Sequence, residues 1–195
     1  FSTDYVFDGS LQRPYHEGDT PNPLGAYGST KLEGERAILA SGCRHLILRI
    51  AWVYGPHGAN FFKTILRLAA ERPVIRVVND QWGAPSSTLR LAGALPVLLA
   101  KLTEPGSTWA GSPGLYHLGP SGCTSWYEYA LQIVDGFSMQ TAVYPTTAEL
   151  FPSPARRPAN SLLDSSRILR DFNVSMGHWR EGFDEVRRVL AASQS

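Results

Sequence analysis

Apolar positions along the chain come in two patterns, short unbroken runs and helical stripes, and the two take turns. Leu46 to Tyr54 (LILRIAWVY) is a continuous run stopped by Gly55-Pro56. Such a run predicts a strand buried on both faces of a parallel sheet. Ser2 to Phe7 is short, aromatic and β-branched and breaks at Asp8-Gly9, so it reads as the end of another strand. Val74 to Val78 (VIRVV) reads as a third. Tyr27 to Ser41 predicts a helix with Leu32, Ile38 and Leu39 on its apolar side. Asn60 caps a second helix, with Phe61, Ile65, Leu68 and Ala69 on one side. Strand, helix, strand, helix, strand over residues 1–80 calls for crossover connections and α/β layering. The expectation is three adjacent parallel strands ending near Phe7, Tyr54 and Val78.

After Asn79 the rhythm changes. Ser86 to Leu102 reads as helical, with Pro96 set to kink or split it. Thr103 to Gly114 is a Gly/Pro/Ser loop, and Leu115 to Leu118 is a short strand. Ser125-Trp126-Tyr127-Glu128 has the form of a capping box opening a helix to about Phe137. Pro145 to Asn160 is rich in proline and reads as extended or looped chain. A last helix starts near His178, with Trp179, Phe183, Val186 and Leu190 along one stripe. Residues 1–80 are thus expected to be the remaining part of a larger α/β unit, and 81–195 a mostly helical lobe with room for segments that return to the first.

Composition narrows the function classes. The 195 residues suit one domain or one with a small appendage, and 43% hydrophobic residues build a real core. Lys+Arg 18 against Asp+Glu 17 gives a net charge of +1, which excludes a nucleic-acid binder driven by bulk charge. The longest apolar run, Leu91 to Ala100, contains Pro96 and falls short of the ~20 residues a bilayer needs. Cys43 and Cys123 have no CxxC or His/Cys spacing, so neither a disulfide framework nor a structural zinc site is expected, and a reducing cytoplasm is the default setting. The chain opens without Met on a strand end, which suggests that an N-terminal part is missing.

The candidate chemistry centres on Tyr27-Gly28-Ser29-Thr30-Lys31. Positions i and i+4 of a helix face one way, so a phenol and an ammonium can enter one site. An ammonium held beside a phenol favours the phenolate, which makes such a pair useful for moving protons. Thr3-Asp4 stands at a predicted strand end, and ligands of open α/β sheets gather outside the carboxyl ends of strands. A Thr3 hydroxyl there could hydrogen-bond the same substrate oxygen. Trp52 lies at the carboxyl edge of the long strand. Arg156-Arg157 sits in the proline-rich segment, where a guanidinium fork suits a diphosphate.

STDYVFDG, AYGSTKLEGE, LRIAWVYGPHGANFFKTILRLA, VVNDQWGAPSS, YHLGPSG and PARRPANSLLD follow one another in order. Taken together they resemble the dTDP-4-dehydrorhamnose reductases, a family of the extended short-chain dehydrogenase/reductase superfamily. The resemblance covers essentially the whole chain and roughly the last two-thirds of a family member. It implies the C-terminal portion of a Rossmann-like, doubly wound parallel sheet with a substrate lobe. It also implies reduction of the C4 ketone of dTDP-4-dehydro-L-rhamnose to dTDP-L-rhamnose, for cell-envelope polysaccharide, by NADPH or alternatively NADH. Tyr27 matches the proton donor to the carbonyl oxygen, and Lys31 the residue that holds the nicotinamide ribose. Thr3 matches the hydroxyl member of the catalytic triad, Asp4 and Trp52 match substrate contacts, and Phe1 matches a cofactor-lining position. Arg157 falls in the substrate region.

The family's glycine-rich pyrophosphate turn is not found here, so the chain by itself is expected to be inactive and to bind NADPH weakly. Some relatives dimerise through magnesium. No carboxylate cluster argues for it, and metal and homodimer stay open. Two alternatives share the likeness: a nucleotide-sugar epimerase or dehydratase, and a non-catalytic subunit resembling the regulatory subunit of methionine adenosyltransferase.

Overall fold

A computed structural model of the chain describes residues 1–104, 114–151 and 156–193. In chain order the elements are β1 (Ser2–Thr3), a 3-10 turn (Asp4–Val6), α1 (Ala26–Ala40), β2 (Leu46–Ile50), β3 (Val53–Tyr54), α2 (Phe61–Glu71), β4 (Val74–Val78), β5 (Trp82–Gly83), β6 (Ser86–Ser87), α3 (Thr88–Thr103), β7 (Gly114–His117), β8 (Thr124–Ser125), α4 (Trp126–Gly136), β9 (Ala142–Thr146), α5 (Ser166–Phe172) and α6 (Trp179–Ala192). No helix among the described residues is long and apolar enough to cross a membrane.

The central sheet is parallel, in the order β1-β2-β7, with Ser2 opposite Arg49 and Arg49 opposite His117. Successive residues of a strand point to opposite faces. Leu46, Leu48 and Ile50 pack with Leu91, Ala94, Leu98 and Leu102 of α3 and with Ile168 of α5. Arg49, on the other face, meets α1 through Glu35. The sheet is therefore covered on both sides by helices, as a continuous apolar strand requires.

Several expectations are corrected. The third strand of this sheet is β7; β4 instead pairs in parallel with β9, away from it. In β4 the burial alternates, with Ile75 and Val77 inside and Val74 and Arg76 outside. That is the signature of a strand covered on one face, not two. The run Leu46–Tyr54 is not one strand. Trp52 takes a left-handed φ of 48°, and the chain beyond it joins a different pair, β3 with β6. Ser2–Phe7 is a strand only at Ser2–Thr3. There the Thr3 hydroxyl accepts the Tyr5 N–H and caps the 3-10 turn.

On α1, Ile38 and Leu39 are exposed, and the buried residues are Gly28, Leu32 and Glu35. The third helix runs unbroken through Pro96. The Pro145–Asn160 stretch starts inside β9, and residues 152–155 of it lie outside the described residues, as do 105–113 of the Thr103–Gly114 loop. The Asn60 cap, the Ser125–Glu128 capping box and the Trp179, Phe183, Val186 stripe stand as read.

The larger core is aromatic. Phe62, Tyr54, Tyr129, Trp179 and Phe183 meet between α2, α4 and α6 with ring centroids 5.5–6.2 Å apart. Buried aromatic pairs of this kind contribute ~0.5–1.5 kcal/mol each beyond their area. This packed block is the frame against which one wall of the site is set.

Candidate active site

A cavity of about 530 Å³ opens where β1, β2 and β3 end. Phe1, Thr3, Asp4, Tyr27, Lys31, Trp52 and Arg157 all line it. The structure thus brings these seven residues together from four separate segments. Arg156 does not line this cavity; it lines a neighbouring one of about 580 Å³. Phe61, Thr64, Trp126 and Arg157 belong to both, so the two cavities adjoin.

The placement of Tyr27 and Lys31 begins with Gly28. A Cβ there would lie 2.1 Å from the Tyr5 carbonyl oxygen, so only glycine lets α1 rest on the turn after β1. That contact brings the first turn of α1 to the strand end. Lys31 Nζ donates to the Phe1 carbonyl oxygen at 2.9 Å. An ammonium has three N–H donors, which leaves two for a ligand. The Tyr27 ring stands edge-on to Tyr5, with centroids 6.0 Å apart and planes at 89°. Tyr27 is 57% exposed, and no hydrogen bond among the described residues ties its hydroxyl to Thr3 or Lys31.

Thr3 and Asp4 lie at the floor. Thr3 Oγ1 donates to Asp4 Oδ1 at 3.0 Å while accepting from Tyr5 N at 3.2 Å. The threonine proton is therefore directed at Asp4, and its oxygen is left to act as an acceptor. Burial pushes the Asp4 carboxyl up to about 7, against the opposing pull of Ser161 and Thr3. Ser161 lies near enough to temper the shift, yet no donor meets Oδ2 with hydrogen-bond geometry. A carboxyl in that position holds its proton near neutrality and can donate it.

Trp52 forms the flat side of the cavity. Its indole stacks on Trp126, with centroids 3.5 Å apart at 9°. The Ser86 N–H donates to its carbonyl at 3.1 Å, which pins the left-handed corner. Behind the ring, a Cβ at Gly83 would come within 2.4 Å of it. Phe61 leans on Trp126 at 4.4 Å.

Sequence reasoning missed Tyr5, Trp126 and Tyr129 as lining residues. The one signal was the aromatic cluster Trp126-Tyr127-Glu128-Tyr129 directly after a helix cap, which reads equally well as core. His117 is no ligand or base at the site. It is fully buried, its Nδ1 pairs with the Tyr15 carbonyl at 3.0 Å, and burial holds it down to about 3. Among the described residues, no three His, Cys, Asp or Glu side chains cluster as metal ligands.

A family profile described as the RmlD substrate binding domain matches residues 1–192. The dTDP-4-dehydrorhamnose reductase of Escherichia coli (strain K12) is 41% identical over 200 residues, which cover 97% of this chain and 63% of that protein. Among solved structures, a dTDP-4-dehydrorhamnose reductase from Clostridium acetobutylicum is similar with a TM-score of 0.86 at 36% identity, over 97% of this chain and 64% of that one. The dTDP-4-dehydrorhamnose reductase of Bacillus anthracis in complex with NADP gives 0.85 at 34% identity, over 95% and 63%. This chain spans about 63% of the length of the curated relatives it matches. The structural likeness makes the fold Rossmann-like α/β.

Proposed function

From the chain's membership of the RmlD substrate binding domain family, we propose that it carries the reaction site of a dTDP-4-dehydrorhamnose reductase, with Tyr27, Lys31 and Thr3 as the catalytic group. The observation that carries this reading is the meeting of Tyr27, Lys31, Thr3, Asp4 and Trp52 on one cavity at the carboxyl ends of the strands. Two free donors on Lys31 suit the hydroxyls of a nicotinamide ribose, and Phe1 beside it suits the cofactor's edge. The relative from Bacillus anthracis binds NADP. The chemistry asked of such a cofactor is delivery of hydride to C4 of the keto sugar.

This chain's residues do the rest. Negative charge grows on the carbonyl oxygen as hydride arrives, and an acid must meet it. Tyr27 has its hydroxyl free towards the cavity and gives up the proton, an effect worth typically ~10²–10⁴-fold. Lys31, one turn further along α1, stabilises the phenolate left behind. The Thr3 oxygen, its own proton committed to Asp4, accepts from the Tyr27 hydroxyl or from the new sugar hydroxyl and so orients it. Trp52, held by Trp126 and Gly83, offers the edge of its indole to the sugar ring. Arg157, at the junction with the second cavity, suits the diphosphate, and the cavity beyond it suits the nucleoside.

Turnover of dTDP-4-dehydrorhamnose by the protein carrying this chain, with NADPH and NADH compared, tests the proposal. Stoichiometric oxidation of the nicotinamide with formation of dTDP-L-rhamnose is expected. Interconversion of sugars without net oxidation would replace it with the epimerase reading. No turnover with either cofactor would favour a binding subunit.

A further inference from the structure

Helix α1 carries Tyr27 and Lys31, yet among the described residues its hold on the sheet is slight in apolar terms. Its buried face consists of Gly28, Leu32 and Glu35, spaced i, i+4 and i+7. One of these has no side chain, one is aliphatic and one is a carboxylate. A single leucine in an apolar slot resists withdrawal of a helix, but it does little to stop the helix turning about its axis.

Glu35 supplies what leucine cannot. Its carboxylate takes two parallel bonds from Arg49, Nε to Oε1 at 2.8 Å and Nη2 to Oε2 at 2.6 Å. Both side chains are almost wholly out of solvent, at 2% and 4% exposure. A fork-to-fork pair has one plane and one direction, so it fixes an angle as well as a distance. The far end of the fork is itself fixed. Arg49 sits in the central strand β2 between Ser2 and His117, and its guanidinium lies 4.9 Å from the centre of the Phe7 ring. The helix is thus keyed to the sheet whose strand end supplies Thr3 and Asp4.

Tyr27, Lys31 and Glu35 stand four residues apart along α1. They climb one side of the helix in steps of ~6 Å. A side-chain tip sits ~6 Å from the helix axis, so a rotation of ~10° moves it by ~1 Å. A displacement of ~1 Å in a reacting group can cost ~10²-fold in rate. Stability alone does not call for charges here, because an apolar pair of similar volume often serves as well or better.

We infer that the buried Glu35–Arg49 pair is a positioning device that sets the rotation of α1 and so the direction in which Tyr27 and Lys31 enter the cavity. Its effect on rate rests on the reductase reading above; its effect on Tyr27 geometry does not.

The test uses the protein carrying this chain with Glu35→Met and Arg49→Met combined. A cooperative melt near the wild-type temperature is expected. The kcat for the keto sugar nucleotide should fall by about tenfold or more while KM changes by less than about threefold. The edge-on contact with Tyr5 is expected to shift the carbon-13 signal of the Tyr27 ring, assignable by its loss in Tyr27→Phe. That signal should move toward the position of a free tyrosine. A kcat within about twofold of wild type, or an unmoved Tyr27 signal, overturns the inference. Where the double variant does not fold, Arg49→Lys keeps the charge and removes the fork, and the same two results apply to it. A wild-type protein without turnover sinks the reductase reading alone, and the Tyr27 signal still decides the positioning role.

Discussion

The cavity has two walls, and they are held by different forces. On one side, α1 and the turn after β1 meet through a glycine against a carbonyl, one leucine, a buried ion pair and the Thr3–Asp4 hydrogen bond. On the other, Trp52, Phe61, Trp126 and Tyr129 close the space with rings that stack or lean on one another. Polar contacts are directional, so the first wall fixes angles. Dispersion is not, so the second gives area and adapts to what presses on it. Under the reductase reading proposed above, reaction geometry belongs to the first wall and grip on the sugar nucleotide to the second.

Removing the phenol hydroxyl is the sharpest way to break that division. Tyr27→Phe keeps the ring and cuts no hydrogen bond of its hydroxyl among the described residues. Loss of ~10²-fold or more in kcat is expected, with little change in the melting temperature or in sugar-nucleotide affinity by calorimetry. Full kcat in this variant would remove Tyr27 as the acid. Gly28→Ala asks the same of the mount. The added carbon cannot fit against the Tyr5 carbonyl, so α1 must lift, and kcat should fall by ~10²-fold while KM moves less. An alanine variant that is fully active would show that the close approach is dispensable.

The opposite wall should answer in a different currency. Trp126→Ala removes the ring stacked on Trp52, with a loss of ~3–5 kcal/mol in stability and a KM raised more than kcat is lowered. If kcat fell by the larger factor, the two walls would not be separable in the way described. Loss of stability is read by denaturant unfolding, and the kinetic split by steady-state assay.

The smallest effect concerns pH. Unfolded, the Asp4 carboxyl releases its proton near 3.8; folded, near 7. Between those values the folded chain holds the extra proton, so this group's contribution falls as pH rises. His117 works in the opposite sense. Neutral when folded down to about 3, and titrating near 6.5 when unfolded, it adds stability as pH rises across that window. Asp4→Asn deletes the falling contribution. Its melting temperature should exceed the wild type's at pH 8, and by much less at pH 4. Equal differences at both values would show that Asp4 is ionised when folded.

The two walls also differed in how far they could be read from sequence. Tyr27 and Lys31 were legible because a helix places i and i+4 together whatever surrounds it. Thr3 and Trp52 were legible because strand ends in α/β sheets face ligands. The aromatic wall was not, since nothing local distinguishes a Trp126 that faces a cavity from one that faces core. Neither was the ion pair: Glu35 sits in a stretch that scans as solvated helix, and Arg49 in the middle of an apolar run. The swap of β7 for β4 in the sheet was hidden for a related reason. Pairing between strands is decided across the chain, and in sequence VIRVV differs from a doubly buried strand only in carrying Arg76.

The left-handed corner at Trp52 has a consequence for the order of folding. Leu46 to Tyr54 is built to run straight, and a bulky residue at φ 48° costs ~1–2 kcal/mol against that tendency. Two contacts hold the bend, the Trp126 ring and the Ser86 N–H, and both come from later in the chain. Until they arrive the extended form is the cheaper one. The corner therefore cannot close before α4 and β6 have docked, and the cavity forms no earlier than those contacts. Interactions formed that late govern how fast a protein comes apart more than how fast it assembles. The stacked tryptophans are in this sense a latch whose strength sets the lifetime of the site.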